Sequence, residues 1–358
     1  MFMALLAFVL TMILVVGIHE AGHALSAKLF KVKIRRISIG FGKALLTWKD
    51  KAGREWVWAL WPLGGYVQLL NSRIEDLPQS DYSQCFDKKP IWQRCIILLS
   101  GSLANLLTAF LALSFMYMLG FQQQIPLIKE ITPQSIASQA SLQAGDRFVA
   151  IDGQKTNSWQ EVGMSFIMAL GKAKVPILVA NRDGIAHQTN LDLSQWRYQK
   201  KERSLFVSLG INPASAKLNT KRIPGQSFFP ALNAAILKIL FLLKFFLIML
   251  KQLITQKIPF AVLLGPLGLF ETSIYSFLQG LAVFLYFIAS FSLAVGVVNL
   301  LPFPGLDGGS LIYTIVEKFR GKPVSVALEL LLHRLAFIFF FFLLFHLLMN
   351  DLQRYLSS

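Results

Sequence analysis

Residues 1–23 read MFMALLAFVLTMILVVGIHEAGH. No charge interrupts Met1–Ile18, and the apolar run ends directly on His19-Glu20-Ala21-Gly22-His23. Taken as a helix, Phe2 to about Leu25 supplies the ~20 residues that cross a bilayer. Positions i and i+4 share one helix face, so His19 and His23 can point two imidazoles at a single metal ion. Glu20 stands beside them, placed to take a proton from a metal-activated water. Ionisable groups are costly inside an apolar segment and usually serve function there. The bland alternative is a helix end at which two histidines and a glutamate face the lipid headgroups.

Composition agrees with the membrane setting. The 358 residues are 54% hydrophobic and only 15% charged, with a mean hydropathy of +0.54. Soluble domains carry about 25% charged residues, so the chain reads as a membrane protein, with room for one soluble domain of roughly 100 residues. A net charge of +16 would suggest nucleic acid in a soluble protein. Here it reads as basic cytoplasmic loops against anionic lipid, and no nucleic-acid partner is expected. Cys85 and Cys95 form no disulfide framework. A cleaved signal peptide is disfavoured, because the basic n-region is missing and cleavage would remove the metal motif.

Charge then sets the expected topology. Lys28, Lys31, Lys33, Arg35, Arg36, Lys43, Lys49, Lys51 and Arg54 follow the first span, which places its end in the cytoplasm and the N-terminus outside. Ile37–Trp48 and Glu55–Leu70 are rich in β-formers and aromatics around a turn at Asp50–Gly53. They read as a hairpin dipping toward the membrane beside the site, with Gly64, Gly65 and Tyr66 at its return. Its open edge could hold an unwound substrate by β-addition, or the hairpin could be an aromatic anchor only. A second span is expected over about Ile96–Leu119, with Asn105 read first as a packing residue that could hydrogen-bond across helices, and a role near the metal as the less favoured alternative.

Gln122 to about Pro213 mixes charges, turns and short β-like runs and by parity lies outside. Leu142–Gln154 resembles the central stretch of a PDZ domain, with a hairpin turn at Asp152-Gly153, a helix over Trp159–Leu170 and strands over Val175–Ala180 and Gln188–Leu193. Such a fold could capture a peptide, or act as a spacer or gate. Ala231–Lys257 is apolar but broken by Lys238, Lys244 and Lys251. It is expected as one or two amphipathic helices on the outer membrane face rather than a span. Gly265–Gly268 is expected as a turn, Phe277 to about Leu301 as a third span running inward, Glu317–Lys322 as an inner loop, and about His333–Met349 as the last span. The third span ends in Asn299-Leu300-Leu301-Pro302-Phe303-Pro304-Gly305-Leu306-Asp307-Gly308-Gly309, where prolines and glycines break the helix. Asp307 is the natural third ligand, since two histidines, one carboxylate and an open position make a catalytic zinc set. The parts are thus 1–121, 122–215, 216–276 and 277–358.

With both motifs in hand, the chain resembles the site-2 protease family of intramembrane zinc metalloproteases, of the bacterial regulator-of-sigma-E protease type. HEAGH at His19–His23, SIGFG at Ser38–Gly42, PLGGYV at Pro62–Val67, WQR at Trp92–Arg94, GPLG at Gly265–Gly268 and NLLPFPGLDGG at Asn299–Gly309 carry the likeness. It implies an α-helical polytopic membrane protein with four transmembrane helices, a membrane-associated β-hairpin and an inserted α+β PDZ-like extracytoplasmic domain. It also implies one zinc ion held by His19, His23 and Asp307, with Glu20 as base and Asn299, Pro302 and Pro304 handling substrate. Substrates would be single-span proteins of the bacterial inner membrane, a trimmed anti-sigma factor or a leftover signal peptide. Many family members carry two PDZ units in tandem, and this chain has room for about one. Two rivals are a catalytically inactive metal-binding or chaperone-like pseudoprotease, against which Glu20 stands, and a zinc transporter, which would need polar residues along a through-path.

Overall fold

The apolar N-terminus folds as α1 (Phe2–Met12) and α2 (Ile18–Leu29), joined through a π-helical turn at Ile13–Gly17 in one continuous rod. A π turn re-aims every side chain that follows it, and the metal motif begins two residues later. This computed structural model describes residues 2–51, 53–196, 204–214 and 219–356; the domain boundary expected at 215–216 lies outside the described residues.

After α2 come β1 (Ile34–Lys49) and β2 (Glu55–Leu69). Each long strand serves as two. Residues 44–49 pair with 55–59 across the expected turn, while residues 36–39 have partners on both sides, at Glu55–Trp58 and at Gly65–Gln68. The result is a ribbon of four strand segments whose outer edges are 44–49 and 65–69. Ile39, Leu45, Leu46, Trp48, Trp58 and Leu60 stand exposed on it, an apolar surface that water does not favour.

α3 (Ile91–Leu119) follows, and the membrane half of the chain resumes with α8 (Pro266–Leu278), α9 (Leu281–Asn299), α10 (Asp307–Arg320) and α11 (Val326–Leu356). Together with 1–116 and the 232–239 stretch these form one compact unit. Within it the contacts fix direction. Along α2 the residues His19 and His23 meet Asn105 and Ile97 of α3, so numbers rise on one helix as they fall on the other. Ser292 and Gly296 of α9 meet Asn105 and Ser102 in the same sense. α2 and α9 are therefore both antiparallel to α3. Beyond the break, Glu317 of α10 reaches Arg94 near the start of α3, where a bidentate ion pair closes at 2.8 and 2.9 Å.

The second unit takes in 117–231 and 240–263. Its strands are β3 (Phe121–Gln124), β4 (Ile128–Ile131), β5 (Arg147–Ile151), β6 (Gln154–Lys155), β7 (Val175–Ala180), β8 (Ala186–Leu191), β9 (Ile211–Pro213) and β10 (Thr220–Ile223). Its helices are α4 (Ile136–Gln139), α5 (Trp159–Ala169) and α6 (Leu205–Ser208). A four-stranded sheet in the order β6-β5-β7-β8 is joined by the pairs β4-β9 and β3-β10, all antiparallel. Phe148, Ile151, Phe166, Ile177, Leu191 and Ile211 fill its core, with Leu253 and Ile258 packed among them.

Several expectations need correction. Gly265–Gly268 is not a turn but the start of α8: Pro266 takes the first helical position, where its missing N–H costs nothing, and Asp351 accepts from the Gly265 and Gly268 amides at 3.0 and 2.9 Å. The helix expected as the third span accordingly begins at Leu281, after a break at Gly280. Glu317, Lys318 and Arg320 belong to α10 rather than to a loop. The last helix runs over 31 residues, well past His333–Met349 at both ends. Of the one or two helices expected over 231–257, the structure has one: α7 (Phe228–Ile254) runs unbroken past the three lysines. It is long and apolar enough to cross a membrane, which brings such helices to five among the described residues, against four expected spans.

Candidate active site

The two histidines are braced by a neighbouring helix, and glycine permits its close approach. Gly22 of α2 lies against α3, where a Cβ would come within 2.5 Å of the Ser100 carbonyl oxygen and 2.8 Å of Ala104 Cβ. Gly101 of α3 answers it: a Cβ there would collide with the His19 and His23 rings. The two backbones thus meet at a pair of glycines, and the imidazoles pass over the gap that Gly101 leaves.

Each ring is held from behind. The Ile97 carbonyl lies 2.8 Å from His23 Nδ1. A carbonyl can only accept, so His23 Nδ1 carries a proton and its Nε2 has a free lone pair when the ring is neutral. His19 Nδ1 lies 3.2 Å from the Asn105 side-chain amide. For Asn105 the sequence favours packing over a role near the metal, and the structure puts its amide against His19, four residues after Gly101 on α3.

Asp307 arrives from the other end of the chain. Leu300–Leu306 is non-helical, and Asp307 opens α10. Gly308 and Gly309 make the turn close-packed: side chains there would run into the carbonyl oxygens of Leu300, Leu301 and Phe303. Asp307 Oδ2 then lies 3.2 Å from His19 Nε2 and 3.1 Å from His23 Nε2, and the two Nε2 atoms are 3.2 Å apart. Both histidines are buried.

These residues fit a metal ion. Ligand atoms at ~2.0–2.1 Å from a tetrahedral zinc stand ~3.3 Å from one another, close to the spacing here. Two imidazole nitrogens and a carboxylate oxygen converge in a buried place that only a cation or a shared proton would hold together. Among the described residues this is the one group of three or more His, Cys, Asp or Glu side chains so arranged.

Glu20 flanks the triad on the hairpin side. The Val67 amide donates to its carboxylate, and Gly65 lies beside it, with a Cβ position only 3.6 Å from Glu20 Cγ. The 65–69 edge of the ribbon therefore runs past Glu20. Tyr66 alternates to the opposite side of the strand, where its hydroxyl pairs with Arg36. Gly64 precedes this edge within β2. Asn299 closes α9, and Pro302 and Pro304 lie in the break before Asp307, Pro302 exposed. His333, set aside from the sequence, packs its ring over Gly305 in that same break.

Comparison with known proteins accords with this arrangement. The family description "Peptidase family M50" matches residues 7–343. A regulator of sigma E protease from Haemophilus influenzae is 28% identical over 438 aligned positions, covering 97% of this chain and 98% of that protein. Protease RseP of Yersinia pestis is 29% identical, and regulator of sigma-E protease RseP of Escherichia coli K12 is 26% identical, each over 98% of both chains. These alignments run to more positions than this chain has residues, so the relatives carry segments with no counterpart here. The match spans the helix that bears the two histidines, the helix that braces them and the break that delivers the aspartate. On that ground the chain, a multi-pass membrane protein, belongs to peptidase family M50, the zinc metallopeptidases.

Proposed function

We propose that this protein hydrolyses peptide bonds inside the membrane, within the transmembrane segments of single-span proteins. The observation that carries the reading is the meeting of His19, His23 and Asp307, with Glu20 alongside, amid helices long and apolar enough to cross a bilayer. His19, His23 and Asp307 would hold one zinc ion. What zinc supplies when bound is Lewis acidity, which polarises a carbonyl and brings a water's pKa toward ~7. Glu20 takes the proton of the attacking water at its carboxylate and returns it to the leaving amine nitrogen. The Val67 amide keeps that carboxylate aimed across the hairpin edge.

A transmembrane substrate hides its carbonyls in i→i−4 hydrogen bonds and must unwind before any of them can be attacked. The 65–69 edge, apart from the Val67 amide that Glu20 holds, offers backbone partners for an extended chain beside Glu20. Gly64 and Gly65 leave room for it, and Asn299, Pro302 and Pro304 line the break on the Asp307 side. The relatives' printed names point to regulators of a sigma factor, so a trimmed anti-sigma factor is the first substrate to try, with leftover signal peptides beside it.

The protein is read as lying in the bacterial inner membrane with four spans: α1–α2, α3, α9 and α11. The antiparallel contacts of α3 with α9 support this, because the chain must leave α3 and enter α9 on the same side. α7 would then rest on the outer face, its lysine stems reaching water. α8, with 13 residues or ~20 Å, is short of the ~30 Å core. The second unit would be outside, and its Asp152-Gly153 hairpin and following helix support a single PDZ-like module.

The test is cleavage of a tagged single-span substrate by wild-type protein and by Glu20→Gln in the same membranes. The variant should lose about 10²–10⁴-fold in rate while keeping its zinc. A chelator should stop the wild type and added zinc restore it. Equal cleavage by both proteins removes Glu20 from its role.

A further inference from the structure

The buried amide of Asn105 has one end in use and one idle. Its Nδ2 faces His19 Nδ1 at 3.2 Å, and its Oδ1 is buried with no partner among the described residues. The whole side chain is fully buried. An orphaned carbonyl oxygen at that depth is costly, and a second state of the site that uses it would account for it.

The chemistry of His19 supplies that state. A neutral imidazole carries one N–H. When Asn105 donates through Nδ2, His19 Nδ1 must be the acceptor, and the proton sits on Nε2, directed at Asp307 Oδ2 3.2 Å away. That arrangement suits a site without a metal. A metal on Nε2 reverses it: Nε2 must offer its lone pair, the proton moves to Nδ1, and two donors then face each other. Turning the amide over brings the idle Oδ1 to Nδ1–H and restores the bond. His23 has no such freedom, because the Ile97 carbonyl holds it in the ligand tautomer in either state.

We propose that Asn105 is a positioning residue whose side-chain amide turns over as the metal binds, donating to His19 in the empty site and accepting from it in the loaded one. It thereby lets one imidazole serve both states without an unpaired group against its ring. Its backbone is committed elsewhere, the carbonyl oxygen accepting from Ser292 Oγ at 3.1 Å and the Cβ lying against Gly296 of α9, so the swivel is confined to the side chain. The inference rests on the reading of His19, His23 and Asp307 as the zinc ligands.

The test uses full-length protein in detergent and zinc competition against a chelator. Asn105→Leu, which keeps bulk but cannot accept, should bind zinc about 10–100-fold more weakly. Asn105→Asp, which accepts in any orientation, should recover most of that loss. Wild-type affinity in the leucine variant, or equal losses in both, overturns the role of Asn105. Should the leucine variant not fold, nitrogen-15 spectra of histidine-labelled wild type decide the matter. The His19 signals, assigned with His19→Gln, should change from the Nε2–H to the Nδ1–H tautomer when zinc is added to stripped protein, and an unchanged tautomer overturns the proposal. A wild-type protein that takes up no stoichiometric zinc sinks the metal reading itself, which is a separate result.

Discussion

Gly101 is the residue on which the site geometry leans most directly. It has no side chain to remove, so its role is tested by adding one. A methyl group at this position would occupy the space of both imidazoles, and neither ring can retreat, since Ile97 and Asn105 hold them from behind. Gly101→Ala should therefore misplace the ligands by about 1 Å and lower the cleavage rate about 100-fold, with zinc content falling in parallel. Assay of activity and bound metal on the purified variant checks this. Full activity in an alanine protein would mean that the α2–α3 approach is looser than described. Gly22 and Gly101 also explain each other: a glycine on only one of the two helices would not bring them close.

Among the elements, α10 has the largest lever on the site, because it carries Asp307 at one end and Glu317 at the other. Glu317 pairs bidentately with Arg94, which is 5% exposed and has its guanidinium over the Phe86 ring at 5.4 Å. This pair fixes α10 against the beginning of α3, about one turn before Ile97 and three turns before Asn105. Arg73 adds a second tie, to Glu329 at 3.0 Å and to the Val324 carbonyl, at the start of α11. Breaking a buried pair by removing one partner costs about 3–5 kcal/mol, whereas replacing both by apolar groups costs little. Arg94→Leu alone should thus lower the thermal unfolding midpoint markedly, and Arg94→Leu with Glu317→Leu should recover most of it. Unfolding scans in detergent distinguish these outcomes; additive losses in the double variant would deny the pairing any role.

For the molecule as a whole, the decisive quantity is the side of the membrane on which each loop emerges. Among the described residues five helices are long and apolar enough to cross, and an odd number of crossings between α3 and α9 would put the Asp307 break in the wrong leaflet. In a chain with Cys85 and Cys95 replaced by alanine, a membrane-impermeant maleimide should label Asp183→Cys in intact spheroplasts. Lys322→Cys, in the loop after α10, should label only after lysis, and Lys244→Cys on α7 should label from outside. Labelling of Lys322→Cys in intact cells would mean that α7 crosses.

Much of this was open to reading in one dimension because the relevant signals are local. HExxH spacing puts two imidazoles on one helix face whatever surrounds it. A run of prolines and glycines breaks a helix wherever it stands, and charge-free stretches of span length mark membrane helices by composition alone. The β1 and β2 segments and α5 were legible for the same reason, since period and turn chemistry act between near neighbours. What the linear order could not reveal depends on groups far apart in sequence. The π turn ahead of His19, the double use of each long strand and the opening of α8 at Gly265 under Asp351 all follow from packing or from long-range hydrogen bonds. Whether 231–257 makes one helix or two stays open in the sequence for another reason: the helical backbone tolerates charges that composition counts as breaks. Asn105 is the plainest case. As a letter it is one polar residue in an apolar helix, and it becomes part of the site only because Gly101 and Gly22 let α3 bring it within 3.2 Å of His19. Local rules named the candidate ligands; the close approach of α2 and α3 determined which groups brace the two imidazoles.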